Sequence, residues 1–197
     1  MKTREFWKVC KKLANEERLD VLRKVMTFPE DGGLPVGQIA DAVCVGQSTT
    51  SAFLAELQDT CGLVASCRTG RYSLYYPMPD ASDARIVELF EALKRFFHAE
   101  RARWTSVNGI RPPTPGFLSI LPSLANATRV RLLSFIRTER RIGRTKLGKA
   151  TGLTELNLRR HLSCIVACGL AYICGDDIIW CEPSDETSRI LINLSLA

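Results

Sequence analysis

LANEERLDVLRKVM (Leu13–Met26) and LANATRVRLLSFIR (Leu124–Arg137) are two versions of one segment, and their likeness decides how the chain is read. A repeat sets the architecture, because each copy must build the same supersecondary unit. At a separation of 111, Leu13 pairs with Leu124, Asn15 with Asn126, Arg18 with Arg129, Leu22 with Leu133 and Val25 with Ile136. Leu13, Leu19, Leu22 and Val25 fall at roughly helical spacing, as do Leu124, Val130, Leu133 and Ile136, predicting one buried stripe in each copy. Asn15 and Asn126 stand where a helix N-cap is useful, since the side-chain oxygen can accept a bond from an orphan backbone N–H.

Downstream the separation falls to 108, because FPEDGGLP in the first copy is longer than its counterpart; Ile39 then pairs with Leu147 and Leu54 with Leu162. It falls to 107 at Cys61-Gly62-Leu63 against Cys168-Gly169-Leu170. Both slips fall where a loop or helix end is expected, as in a diverged duplication. Each copy continues with a short helix (Val36–Val43; about Thr145–Ala150), a tight turn and a longer helix (Gln47–Thr60; Glu155–Ala167). Thr50, Leu54 and Leu57 face the core in the first, Leu158, Leu162 and Ile165 in the second. Gly62 and Gly169 close these helices at the position that favours glycine. A hairpin follows: Leu63–Cys67, a turn over Arg68–Arg71 and Tyr72–Tyr76, matched by Leu170–Cys174, Gly175–Asp177 and Ile178–Cys181. Helix, helix–turn–helix and hairpin make a winged helix, so two are expected.

The expected fold class is mainly α with small β-hairpin wings (α+β), as tandem winged helix-turn-helix domains joined by a long amphipathic helix. Residues 1–80 form copy one, and 81–107 a long packing or dimerisation helix with Ile86, Leu89, Phe90, Leu93, Phe96, Phe97 and Trp104 at helical spacing. Residues 108–117 form a Pro/Gly linker, and 118–197 copy two, ending in a helix from Ser184 to about Leu196.

Composition agrees with an ordinary globular protein, at 46% hydrophobic and 24% charged residues. The N-terminus is too charged for a signal peptide, and no window resembles a membrane span, so a cytoplasmic location is expected. The eight cysteines follow no disulfide framework and are read as small buried hydrophobes. The net charge is +6, with the excess densest in RTERRIGRTKLGK (Arg137–Lys149), which holds six basic residues and one acid. That stretch is either a polyanion-attracting patch or a solvated loop.

LPVGQIADAVCVGQSTTSAFLAELQDTCGLVASCRTGRYSLYYPM (Leu34–Met78) resembles the DNA-binding core of ArsR-type winged-helix regulators. The shared features are a Gln-Ser/Thr-rich recognition helix, a Gly-Leu-Val, a wing with an Arg-x-Gly-Arg tip and a closing Tyr-Tyr. The resemblance covers about residues 5–104, and more loosely 118–196. It implies a transcriptional regulator that binds double-stranded DNA and dimerises through the first and last helices of its domain. The family's metal-sensing patterns are not matched. Cys44 stands alone where a Cys-x-Cys pair would lie, and Arg85 and Arg101 sit beside Asp83 and His98 where ligands would be needed. No metal or cofactor is expected.

A helix entering the major groove must offer polar side chains from its first turns, with flanking cations on phosphate. In copy one these are Gln47, Ser48, Thr49 and Ser51, with Arg68 and Arg71 at the wing. The alternative is that the hydroxyls only cap a helix and the arginines are solvated. In copy two the candidates are Asn157, Arg159 and Arg160, but Leu156 replaces Ser48 and the wing tip is Gly-Asp-Asp, which repels phosphate. Copy two therefore binds by its helix and the Arg137–Lys149 loop, or serves as a packing partner. The copies could pack as an internal pseudo-dimer, or chains could form a homodimer through helix 84–104. An enzyme is not expected: there are two histidines, His98 and His161, and no phosphate loop or nucleophile motif. The rival reading is a winged-helix interaction adaptor that has lost DNA binding in copy two or both. A thiol switch is a third, with Cys67 beside Arg68 as its candidate.

Overall fold

The computed structural model describes residues 5–27, 32–104 and 116–196, with the side chains of 100–104 outside that description. The chain divides into two compact units, Met1–Pro113 and Thr114–Ala197. Each runs through the same elements in the same order. Unit one has α1 (Phe6–Leu13), α2 (Glu16–Thr27), β1 (Leu34–Pro35), α3 (Val36–Val43), α4 (Gln47–Glu56), β2 (Val64–Thr69), β3 (Tyr72–Pro77) and α5 (Ala84–Trp104). Unit two has α6 (Gly116–Leu124), α7 (Ala127–Glu139), β4 (Arg141–Gly143), α8 (Arg144–Thr151), α9 (Glu155–Ala167), β5 (Ala171–Cys174), β6 (Asp177–Trp180) and α10 (Glu186–Leu196). The fold is mainly helical with two three-stranded antiparallel sheets, ordered β1-β3-β2 and β4-β6-β5. Among the described residues no helix is long and apolar enough to cross a membrane.

The repeat begins earlier than Leu13 and Leu124. At the same separation of 111, Phe6, Val9, Cys10 and Leu13 of α1 match Phe117, Ile120, Leu121 and Leu124 of α6, and all eight are buried. Leu13 therefore closes a first helix instead of opening the second. Asn15 and Asn126 do start the next helix, each accepting a backbone N–H three residues on: Arg18 to Asn15 Oδ1 at 2.7 Å, Arg129 to Asn126 Oδ1 at 3.1 Å. The two arginines then turn back. Arg18 Nη1 donates to the Lys12 carbonyl at 2.6 Å, and Arg129 Nη2 to that of Pro122 at 2.6 Å. Each satisfies a C-terminal carbonyl that the preceding helix leaves unpaired.

The register slips have physical causes. Between Leu54–Leu162 and Cys61–Cys168, unit one has one residue more, and there α4 gives way to a π-helical turn, Leu57–Cys61. Such a turn absorbs an inserted residue inside a helix. The expected helix Gln47–Thr60 is thus an α-helix only to Glu56. At the other slip, unit two passes from α7 to β4 through Arg140 alone, at φ 60°. The last helix begins at Glu186, two residues after Ser184. Of the expected linker 108–117, residues 108–115 lie outside the described residues, as do 105–107 of the expected long helix, while Gly116 and Phe117 are the first residues of α6.

The turns after α3 and α8 make the same left-handed step, at Cys44 (φ 56°) and Gly152 (φ 69°). Only glycine takes that step freely, because a Cβ crowds the carbonyl there. Cys44→Gly is therefore expected to stabilise unit one by about 1 kcal/mol, read as a higher urea midpoint at unchanged m-value. An unchanged or lower midpoint would mean that the exposed Cys44 side chain makes up for its strain.

Candidate nucleic-acid interface

Helix α4 is anchored by Thr50 and Leu54, both fully buried. Thr50 and Leu54, four apart, share one face, which leaves Gln47, Ser48, Thr49 and Ser51 exposed on the other. The N-cap is Gly46, which offers no side chain to the first amides. The hydroxyls of Ser48, Thr49 and Ser51 lie within the helix and do not cap it. So α4 opens with unoccupied N–H groups and four exposed polar side chains, and the partial positive charge of a helix start is left without an acid in the first turn.

An ion cluster adds to this anchoring at the far end of α4. Glu56 at its C-terminal end pairs with Lys12 of α1 and Arg18 of α2. The Arg18 guanidinium also lies 4.8 Å over the Phe53 ring. Below this cluster Cys61 is buried, and burial pushes its thiol up to about 12, against the opposing pull of Arg18.

The hairpin β2–β3 extends beyond the expected strands. Arg68 pairs with Ser73 and Thr69 with Tyr72, so Arg68 is a strand residue and the turn is Gly70-Arg71 alone. Gly70 supplies the positive φ, 61°, that a two-residue hairpin turn demands at its first position. Arg68 and Arg71 are both exposed. Among the described residues neither side chain has an ion pair or hydrogen bond. Tyr72 beside them is 67% exposed. Cys67, also exposed, has the Thr69 hydroxyl 3.9 Å from its sulfur.

Unit two repeats the frame and inverts the chemistry. Its helix α9 is capped: Thr154 Oγ1 accepts the Asn157 N–H at 3.4 Å, and Glu155 places an acid in the first turn. Leu156, where Ser48 stands in α4, is 60% exposed. Asn157, Arg159 and Arg160 are exposed, with Arg159 3.7 Å from Glu155 and Arg160 without a side-chain partner among the described residues. Leu158 and Leu162 hold the helix as Thr50 and Leu54 do. His161 occupies the place of Phe53; burial and then the Arg129 charge lower its pKa. That makes it the counterpart of a packing ring. The shorter hairpin turns at Gly175-Asp176, with Gly175 at φ 62°. Asp177 lies in β6, not in the turn, and pairs with Arg141, whose own pKa it raises by hydrogen bond and charge. At the places of Arg68 and Arg71 are Ile173, 42% exposed, and Asp176.

The basic stretch Arg137–Lys149 is not a loop. It spans the end of α7, β4 and α8, and most of its charges have acidic partners. Arg140 meets Glu182 at 3.0 Å, Arg141 meets Asp177, Arg144 meets Glu155 at 3.7 Å and Lys146 meets Glu139 at 2.7 Å. Arg137 donates to Asn193 Oδ1 at 2.7 Å. Three acids from outside the run, Glu155, Asp177 and Glu182, thus offset part of its charge.

Among the described residues no group of three His, Cys, Asp or Glu could hold a metal ion. Asp83 is engaged by Arg85, whose backbone N–H it accepts at 3.1 Å, and His98 is exposed. Comparison of the chain with protein-family models, curated proteins and solved structures found no match.

Proposed function

We propose that unit one is a winged-helix DNA-binding module and that the chain acts as a transcriptional regulator. In this reading α4 enters the major groove with Gln47, Ser48, Thr49 and Ser51. Arg68 and Arg71 at the β2–β3 turn lie on phosphate or in the neighbouring minor groove. The observation that carries the reading is the state of the wing arginines: two exposed cations without acidic partners among the described residues, in the same unit as a helix that opens uncapped and polar. Among the described residues Arg18, Arg23, Arg85, Arg140, Arg141, Arg144 and Arg159 have acidic partners. A cation already paired gains less from a phosphate, so unpaired ones are where a polyanion gains most.

Unit two is proposed as the interaction half. Its helix start carries Glu155 and exposed Leu156, and its wing carries Ile173 and Asp176. An acid beside apolar groups is costly against phosphate and suited to a protein surface.

The test is duplex DNA binding by fluorescence anisotropy over a salt series, with an Arg68→Ala/Arg71→Ala variant alongside. Each lost phosphate contact removes about 0.9 from the slope of log K against log salt, so the slope should shallow by about 1.8 in the double variant. Equal slopes for both proteins would remove the wing from DNA. No binding by either at low salt would sink the DNA reading and leave the adaptor.

A further inference from the structure

The ion cluster that fixes α4 in unit one has a sulfur counterpart in unit two. Lys12 corresponds to Ser123 and Glu56 to Cys164, and Cys61 corresponds to Cys168. Ser123, fully buried on α6, donates its hydroxyl to Cys168 Sγ at 3.1 Å; the same oxygen is 3.8 Å from Cys164 Sγ and 3.4 Å from the Cys164 carbonyl. One hydroxyl therefore gathers both sulfurs. Unlike Cys61, both cysteines are partly exposed. Burial pushes the Cys168 thiol up, the Ser123 hydrogen bond opposes this, and neighbouring Cys164 pushes it up further.

We propose that Cys164 and Cys168 form a reversible disulfide under peroxide, making the α6–α9 contact responsive to oxidation. Four residues along an α-helix, two Cα atoms lie about 6.2 Å apart, inside the range a disulfide spans. A rigid helix would resist the remaining adjustment, but Cys168 is the C-cap and Gly169 follows in the left-handed region at φ 74°. The second cysteine thus sits where the backbone can yield. The Cys164 thiolate attacks one peroxide oxygen; the O–O bond breaks, leaving a sulfenic acid and a hydroxide that takes up a proton as water. Cys168 sulfur then attacks the Cys164 sulfur, the S–O bond breaks, and the hydroxyl leaves with the Cys168 proton as a second water. Two thiols and one peroxide give one disulfide and two waters, with the peroxide reduced by the two electrons the sulfurs lose. Closing the bridge draws Cys168 Sγ from the buried Ser123 hydroxyl, which weakens the tie between α6 and the end of α9. The inference does not depend on DNA binding.

The test uses the full chain carrying Cys174→Ser and Cys181→Ser, so that tryptic peptide His161–Arg189 retains only these two thiols. The protein is treated with hydrogen peroxide, alkylated under denaturing conditions and analysed by tandem mass spectrometry. The expected result is a peptide lacking two hydrogens and both alkyl groups, reverting to doubly alkylated peptide with dithiothreitol. Adding Cys164→Ser or Cys168→Ser should abolish it. Doubly alkylated peptide in a sample where exposed Cys67 has been oxidised would overturn the proposal, as would sulfinic acid on either cysteine without a bridge.

Discussion

Arg18→Ala is expected to lower the stability of unit one by about 3 kcal/mol, the scale of a largely buried ion pair losing one partner. The Arg18 side chain is only 11% exposed and serves three purposes. It neutralises Glu56, satisfies the Lys12 carbonyl at the end of α1, and covers the Phe53 ring. Alanine leaves Glu56 with Lys12 alone, an orphan carbonyl and an uncovered ring face. A cation over an aromatic ring adds about 1 kcal/mol where water is partly excluded. The measurement is amide hydrogen exchange across α1, α2 and α4, because a chain with two units need not unfold in one step. Arg129→Ala supplies the control. Its bond to Pro122 is exposed and no carboxylate waits for it, so its loss should cost under about 1 kcal/mol. Equal losses for the two variants would mean that Glu56 is solvated and that its ion cluster contributes little.

The contrast between these arginines also shows what a sequence can carry. Asn15 and Asn126 act within three residues of themselves, so their capping role was legible from local pattern. The same holds for Thr50, Leu54, Leu158 and Leu162, whose burial follows from helical spacing. Helices α1 and α6 were legible in principle through Phe6-x-x-Val-Cys against Phe117-x-x-Ile-Leu, a match continuous with the repeat. Strands β1 and β4 were not, since two or three residues cannot display an alternation. The one-residue slip marked an insertion, but only the backbone shows that a π-helical turn holds it. The candidate site was legible as a set of polar positions on α4 and at the β2–β3 turn, which are exposed. Its electrostatics were not: Arg141 finds Asp177, and Arg140 finds Glu182, across some forty residues of sequence. Local charge counting therefore points to the Arg137–Lys149 run, whereas Arg68 and Arg71, exposed and without acidic partners among the described residues, lie outside it.

If charge at the wing is what separates the two units, it can be transplanted. Ile173→Arg/Asp176→Arg gives unit two the arginine pair of unit one in the same hairpin, around a glycine of nearly the same φ. Both positions are exposed, so neither substitution buries a charge. Asp177 is left in place because it satisfies Arg141. On the proposed reading the variant should bind duplex DNA with a slope of log K against log salt steeper by about 1.8, one increment for each new phosphate contact. A slope increased by that amount makes log K fall by about one further unit between 50 and 200 mM salt. The anisotropy series used for unit one measures it directly. An unchanged slope would show that the arginines do not suffice: Glu155 and the Thr154 cap would still close α9 to phosphate. The follow-up is then Glu155→Gln in the same variant, which removes the acid from the helix start and keeps its shape. Binding that appears only in the triple variant would place the discrimination at the helix N-terminus, with the wing contributing affinity once the helix admits the groove.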